Sequence, residues 1–362
     1  MGAGIIGLSL ALELNKHGLR VLVVEKGEPG GEASWAAGGM LVHFPLETRP
    51  ELRELAAASA LMYPEFVHEL EDESGLKIDL RSVGTIVLSR VETGLQYVLA
   101  GQSAATTQAY ALPRPLSELE PALQTLCGGE PRFTAHYLKE RCVDPRHLTT
   151  AAIGAARHRG IDFSAGDQVL SVEVSNGKAS GVRTNKTQFA AGMVVNCAGA
   201  WAGQIGPHSF PTRPVKGQML CVAMPEKELV RHVVRTVGWT PDVYLIPRSD
   251  GRMLIGATAE EAGFDKQTVP ETIQKLRLAA LELVPKLAHA RIVEMWAGLR
   301  PGTPDGLPIL GTTPTPGYFV ATGHFRDGIL LAPVTARVMG QLMTAQMLEM
   351  DISKFSAGRF AD

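Results

Sequence analysis

Residues 1–27 read MGAGIIGLSLALELNKHGLRVLVVEKG: a glycine-rich turn that runs into a helix and then into a strand. Gly2, Gly4 and Gly7 have the Gly-x-Gly-x-x-Gly spacing that lets a backbone pass close to a pyrophosphate at the amino end of a helix. Leu8, Leu10, Leu12 and Leu14 give that helix a mostly buried character, and Gly18 stands where a helix C′ residue belongs. The following apolar, β-branched run suits a parallel strand covered on both faces and ends on Glu25, 18 residues after Gly7. An acid at about that distance grips the ribose hydroxyls of an adenine dinucleotide. Only Met1 precedes the turn. The strand that usually delivers such a turn is therefore expected to be missing, leaving a gap in the sheet and weakened cofactor binding.

The 362 residues are 45% hydrophobic and carry a net charge of -2, which suits a large core and two domains in an ordinary globular protein. The basic residues form no long run, so nothing marks a nucleic acid or an anionic membrane as the main partner. Cys127, Cys142, Cys197 and Cys221 form no CxxC pair, and the histidines show no HExxH spacing. Neither a metal site nor a disulfide framework is indicated, and a reducing cytoplasm is expected. The apolar start lacks the basic flank of a signal peptide, and no stretch approaches the roughly 18 apolar residues of a membrane span.

Further along, GGEASWAAGGML (30–41) is too poor in polar side chains for a solvated linker; its small residues suit either backbone approach to a ligand or a tight interdomain turn. Residues 51–75 predict a helix broken near Pro64, and VGTIVLSR (83–90) a strand. Asp144, Pro145 and Gly160 mark the cap, first turn and end of a helix. Asn176-Gly177 sits at the turn of a hairpin within 168–184, and MVVNCAGAWAG (193–203) reads as a strand returning to the parallel sheet. Short strands between 214 and 299, with one helix at 270–284, predict an antiparallel sheet with helical cover. Residues 317–348 give a strand, a glycine turn and a terminal helix whose amino end faces a ligand.

Four segments then converge: GAGIIG with Glu25, ASWAAGGML, VYLIPRSDGRMLIGATAEEAGFDK, and WAGLRPGTPDGLPILG with GHFRDGILLAP. Together they closely resemble the glycine oxidases of thiamine biosynthesis, within the FAD-dependent D-amino acid oxidase and sarcosine oxidase family, over essentially the whole chain. The resemblance implies an α/β fold, α+β overall: a discontinuous Rossmann-like FAD domain (1–80, 142–216 and 297–362) and a substrate domain on a mainly antiparallel sheet (81–141 and 217–296). It implies non-covalent FAD, with Gly2, Gly4, Ile5, Ile6 and Gly7 at the pyrophosphate, Glu25 and Lys26 at the adenosine ribose, and the Val169 backbone at the adenine. Ala33, Ser34, Gly38, Gly39 and Met40 would line the ribityl chain and flavin. Ala198 and Gly199 join the cofactor set, and His324, Arg326, Asp327, Gly328, Ile329 and Leu330 would wrap the flavin.

Tyr244, Arg300 and Arg326 match the family's substrate contacts, the first two holding a carboxylate and Arg326 meeting the amine through its main chain. Without the resemblance, Arg300 is a surface arginine after a strand, Tyr244 a half-buried strand residue, Arg326 the partner of Asp327, and His324 a packed, hydrogen-bonded histidine. The implied chemistry is hydride transfer from the α-carbon of glycine, sarcosine or a small D-amino acid to FAD, with molecular oxygen as acceptor and imine or 2-oxo acid, ammonia and hydrogen peroxide as products. No catalytic side chain is required beyond the cofactor. Trp35 is bulky where the family places small or hydroxyl residues. Asp327 stands where asparagine is common; it would cap the terminal helix or oppose the charge on reduced flavin, according to its direction. The alternatives are a D-amino acid dehydrogenase with a non-oxygen acceptor, a weakly FAD-binding or non-catalytic member, and a nucleoside-modifying relative, against which the missing basic run argues. Assembly into a homo-oligomer is left open.

Overall fold

The computed structural model describes residues 1–44, 48–90, 111–123 and 133–360; Cys127 lies outside them. Its strands are β1 (Leu22–Glu25), β2 (Met40–Leu41), β3 (Leu80–Arg81), β4 (Thr85–Arg90), β5 (Phe133–Leu138), β6 (Arg141–Val143), β7 (Asp162–Ala165), β8 (Val169–Ser175) and β9 (Lys178–Thr184). They continue as β10 (Gln188–Ala190), β11 (Val194–Asn196), β12 (Arg213–Ala223), β13 (Val233–Val237), β14 (Tyr244–Pro247), β15 (Arg252–Gly256), β16 (Arg291–Gly302), β17 (Ile309–Thr312) and β18 (Tyr318–Thr322). The α-helices are α1 (Ile5–Lys16), α2 (Ala33–Ala36), α3 (Arg53–Ser74), α4 (Leu116–Leu119), α5 (Pro145–His158), α6 (Pro270–Leu283) and α7 (Gly328–Met343).

Helix α1 is apolar nearly all round because it is enclosed: Leu8, Leu10, Leu12 and Leu14 are buried in one core with residues of α3, α5 and α7. Beside it, β1 pairs in parallel with β7, and β11 in parallel with β18. The expected gap between these pairs is bridged at the level of the glycine turn. Met1 N donates to Val195 O at 2.8 Å, Cys197 N donates to Met1 O at 2.9 Å, and Gly2 N donates to Val24 O at 2.8 Å. Burial follows this stitching: Val23, Val24 and Glu25 are buried, whereas Leu22, expected to be covered on both faces, is 36% exposed.

The second layer is a seven-stranded sheet in the order β16-β12-β15-β14-β13-β4-β5. It is antiparallel except where β13 runs parallel to β4. Ile273, Leu276, Ala280 and Leu283 of α6 cover one face, in a core with Leu220, Leu245 and Ile255. The hairpin of β8 and β9 turns at Asn176 and Gly177, with φ 51° and 75°. Asp144 caps α5 by accepting Arg146 N at 2.9 Å.

The expected break in the long helix is also corrected. Pro64 does not break the helix; α3 runs unbroken through it for 22 residues. A proline removes the amide that would bond the carbonyl four residues back, and Ala60 O instead accepts Arg141 Nη1 at 3.1 Å. Pro333 inside α7 is handled alike, since Ile329 O accepts the Tyr63 hydroxyl at 2.5 Å. Among the described residues no helix is long and apolar enough to cross a membrane, and no cluster of side chains is arranged to hold a metal ion.

Candidate active site

A cavity of about 760 Å³ opens along the ends of the parallel strands and reaches the seven-stranded sheet. All the expected site residues line it except Gly7 and Leu330. Gly7 serves the turn from behind, where a Cβ would overlap the Gly2 carbonyl oxygen. Leu330 is fully buried in the core, its carbonyl accepting Ser59 Oγ at 2.6 Å.

One end is built by the glycine turn. Gly2 has φ +98°, and a Cβ there would stand 2.5 Å from Cys197 O, so only glycine fits. A helix leaves its first amides without intrahelical acceptors. In α1, Ile5 N is taken by Ser34 Oγ at 2.9 Å, and Gly4 and Ile6 beside it line the cavity. Glu25 is buried and accepts Ala3 N at 2.7 Å and Gly27 N at 3.0 Å, which leaves further lone pairs for a ligand's hydroxyls. Lys26 Nζ lies 3.0 Å from the centre of the Trp201 ring, and burial lowers its pKa.

Along the middle run Ala33, Ser34, Gly38, Gly39 and Met40. Arg248, buried and not anticipated from sequence, fixes this segment by donating to Gly38 O at 2.8 Å and Val143 O at 3.1 Å. Trp35 does not line this cavity. It turns outward, edge-on to Trp296 with centroids 5.9 Å apart, and the Arg146 guanidinium sits 3.6 Å from its ring centre. The bulk that departs from the family's small residues is thus packed outside the cavity.

The far end joins the two layers. Tyr244, Gly256 and Met219 lie side by side across β14, β15 and β12, and the missing side chain at Gly256 lets the Tyr244 hydroxyl reach Met219 Sδ at 3.5 Å. Arg300 on β16 spreads its guanidinium over Gly217, where any Cβ would collide with it, and donates to Thr258 O at 2.9 Å. Burial lowers the pKa of Arg300 and raises that of Tyr244; the nearby cation partly offsets the rise. Arg326 is exposed at the rim and adds a second positive charge facing both. Phe325 lines the cavity with φ +48°, a conformation uncommon for a bulky residue and concentrated at functional sites.

At the head of α7, Gly328 and Ile329 line the cavity. Asp327 occupies the N-cap position, yet its carboxylate makes no capping bond, contrary to one of the two expectations for it. Burial pushes this carboxyl up to about 6 despite Arg326 and Arg49 nearby. His324 is buried against Thr335 Oγ1 at 3.1 Å and pushed down to about 3, so it is neutral. Sequence reasoning also missed Arg49, Arg235, Asp242 and Trp201 on the cavity wall, although Trp201, inside the AGAWAG strand end, and Asp242, at the start of the strand DVYLIPR, stood in segments already singled out.

A model of the FAD dependent oxidoreductase family matches residues 1–342. The chain is 35% identical to a glycine oxidase of Pseudomonas aeruginosa, over 99% of its own length and 98% of that protein's. It is 34% identical over 99% of its length to a bifunctional protein ThiO/ThiG of Trichormus variabilis, and spans 54% of that longer chain. Its fold matches the crystal structure of glycine oxidase from Geobacillus kaustophilus with a TM-score of 0.89 at 32% identity, covering 100% of this chain and 98% of the other.

Proposed function

The chain belongs to the FAD dependent oxidoreductase family, and from that premise we propose that it oxidises glycine, sarcosine or a small D-amino acid at the α-carbon, passing electrons to molecular oxygen. FAD is the cofactor of the family, and the residues present suit it: a turn where a Cβ would collide, a helix head whose Gly4 and Ile6 line the cavity, and a buried acid at the end of β1. Gly2, Gly4, Ile5 and Ile6 are assigned to the pyrophosphate, Glu25 and Lys26 to the ribose, and the Val169 backbone to the adenine. Ala33, Ser34, Gly38, Gly39, Met40, Ala198 and Gly199 are assigned to the remainder of the cofactor. The division into an FAD domain (1–80, 142–216, 297–362) and a substrate domain (81–141, 217–296) is proposed on the same ground, and the two layers support it.

The observation that carries the substrate reading is the convergence of Arg300, Tyr244 and the head of α7 on one end of the cavity. A guanidinium takes a carboxylate in two parallel hydrogen bonds and a phenol adds a third. Held so, a small amino acid directs its α-hydrogen toward α7, with its amine near the main chain of Arg326. Bound there, FAD supplies the two-electron acceptor. The amides at the head of α7 favour the negative charge that accumulates on reduction. His324, neutral and bonded to Thr335, is assigned to the surroundings of the cofactor.

Anaerobic mixing of the FAD-loaded protein with glycine, sarcosine, D-alanine and methylamine tests this reading. The flavin absorbance should bleach with at least one carboxylate substrate and not with methylamine, and readmitted oxygen should be consumed. Equal bleaching by methylamine would remove the carboxylate grip; bleaching without oxygen uptake would favour the dehydrogenase.

A further inference from the structure

The connection from β15 to α6, residues 257–269, leaves the seven-stranded sheet and reaches the wall of the cavity beside Glu25. Its base is fastened to β12: Glu260 N donates to Lys216 O and Lys216 N to Glu260 O, both at 2.9 Å, and Val269 N donates to Gln218 Oε1 at 2.6 Å. The buried Lys216 ammonium, 2% exposed, holds Asp265 at 2.6 Å. The tip meets the other layer. The Phe264 ring lies 5.1 Å from that of Trp201, centre to centre. Lys266 Nζ stands 3.2 Å from both Glu32 oxygens, and Lys26 Nζ is 3.8 Å from the same carboxylate. Trp201, Lys26 and Glu32 line the cavity. Phe264 and Lys266 do not: they stand behind that wall, 41% exposed at Phe264 and 47% at the Lys266 side chain.

An aromatic side chain left partly in water contributes little to the core; what Phe264 covers is the back of Trp201. We propose that residues 257–269 form a clasp over the adenosine half of the FAD site, in which Phe264 and Lys266 hold Trp201, Lys26 and Glu32 in place as its wall and so slow the loss of the cofactor. The adenosine half is identified by the acid at the end of β1, next to Lys26. The clasp concerns cofactor retention and is independent of which substrate is oxidised.

The test is the rate at which FAD fluorescence appears when loaded protein is diluted, with no substrate present. Phe264→Ala should speed release about fivefold, the loss of one aromatic pair. Lys266→Glu should speed it about two- to fivefold at low ionic strength, fading toward wild type near about 0.5 M salt, because exposed ion pairs are weak and screened. Lys266→Arg should stay within about twofold of wild type, as should Leu278→Ala on the exposed face of α6. Lys266→Glu is a surface substitution that leaves the core untouched. Wild-type release from it, or an acceleration undiminished by salt, would overturn the clasp.

Discussion

Arg300 and Tyr244 are ordinary strand residues until the sheet register is known. Arg300 faces Val215 across β16 and β12, and Tyr244 faces Gly256 across β14 and β15. The Tyr244 pairing is a local hairpin, but the Arg300 pairing spans 85 residues, and only the assembled sheet turns both toward one cavity; the residues alone therefore pointed to bland roles, and only the family resemblance reached them. Arg300→Ala should lower kcat/KM for every carboxylate substrate by at least tenfold while FAD stays bound, since removing one partner of an enclosed charge pair costs about 2–5 kcal/mol. Steady-state kinetics with two substrates checks this, and wild-type turnover would take Arg300 out of the site. Tyr244→Phe should lose about 1 kcal/mol, mainly in KM. Asp327 offers a prediction in pH. Its carboxyl is raised from 3.8 to about 6, so the folded state prefers it neutral. The resulting stability is full below the unfolded value and is lost as pH rises through about 6. Asp327→Asn, which cannot ionise, should therefore gain on wild type between pH 4 and pH 8 by at most about 3 kcal/mol. Urea unfolding of both proteins at the two pH values measures it; a constant difference would count against a perturbed Asp327.

Among the elements, what was legible was local. The Asp144 cap, the Asn176-Gly177 turn and the glycine turn into α1 each need only a few consecutive residues. The misreading at Pro64 was non-local: the group that satisfies the freed carbonyl of Ala60 is Arg141, 81 residues away. The matching device in α7 bears on function. Tyr63 on α3 bonds Ile329 O, and Ser59, one turn earlier, bonds Leu330 O, so α3 grips the first turn of the helix whose head faces the cavity. Tyr63→Phe should leave a buried carbonyl unsatisfied and cost about 1–3 kcal/mol of stability. Adding Pro333→Ala supplies an amide four residues after Ile329, so the double variant should lose less than the sum of the single losses. Additivity in chemical denaturation would mean that Tyr63 acts by packing and not as the carbonyl's donor.

At the scale of the whole molecule, the two layers are tied by pairs such as Arg146–Glu294, Arg252–Asp144 and Ser249–Asp79, yet each builds its own end of the cavity, and this division of labour has a measurable consequence. Sequence periodicity separated a parallel, helix-covered part from a mainly antiparallel one. It did not show that Met1 and Gly2 knit β1 to β11, or that Trp35 turns outward to Arg146, because both depend on backbone brought together from distant segments. A ligand that binds only the folded form stabilises it in proportion to the logarithm of its excess, about 2.7 kcal/mol at a hundredfold excess over Kd. FAD at that excess should raise the unfolding free energy of the apoprotein by this amount. Arg300 lies at the sheet end of the cavity, bonded to Thr258, away from the glycine turn and Glu25. Arg300→Ala should therefore gain the same FAD-induced stabilisation as wild type, even though its turnover of carboxylate substrates collapses. The comparison is of chemical denaturation with and without FAD for both proteins. A variant that loses both the stabilisation and the turnover would place Arg300 with the cofactor and would transfer the carboxylate grip to another cation on the cavity wall, Arg326 first.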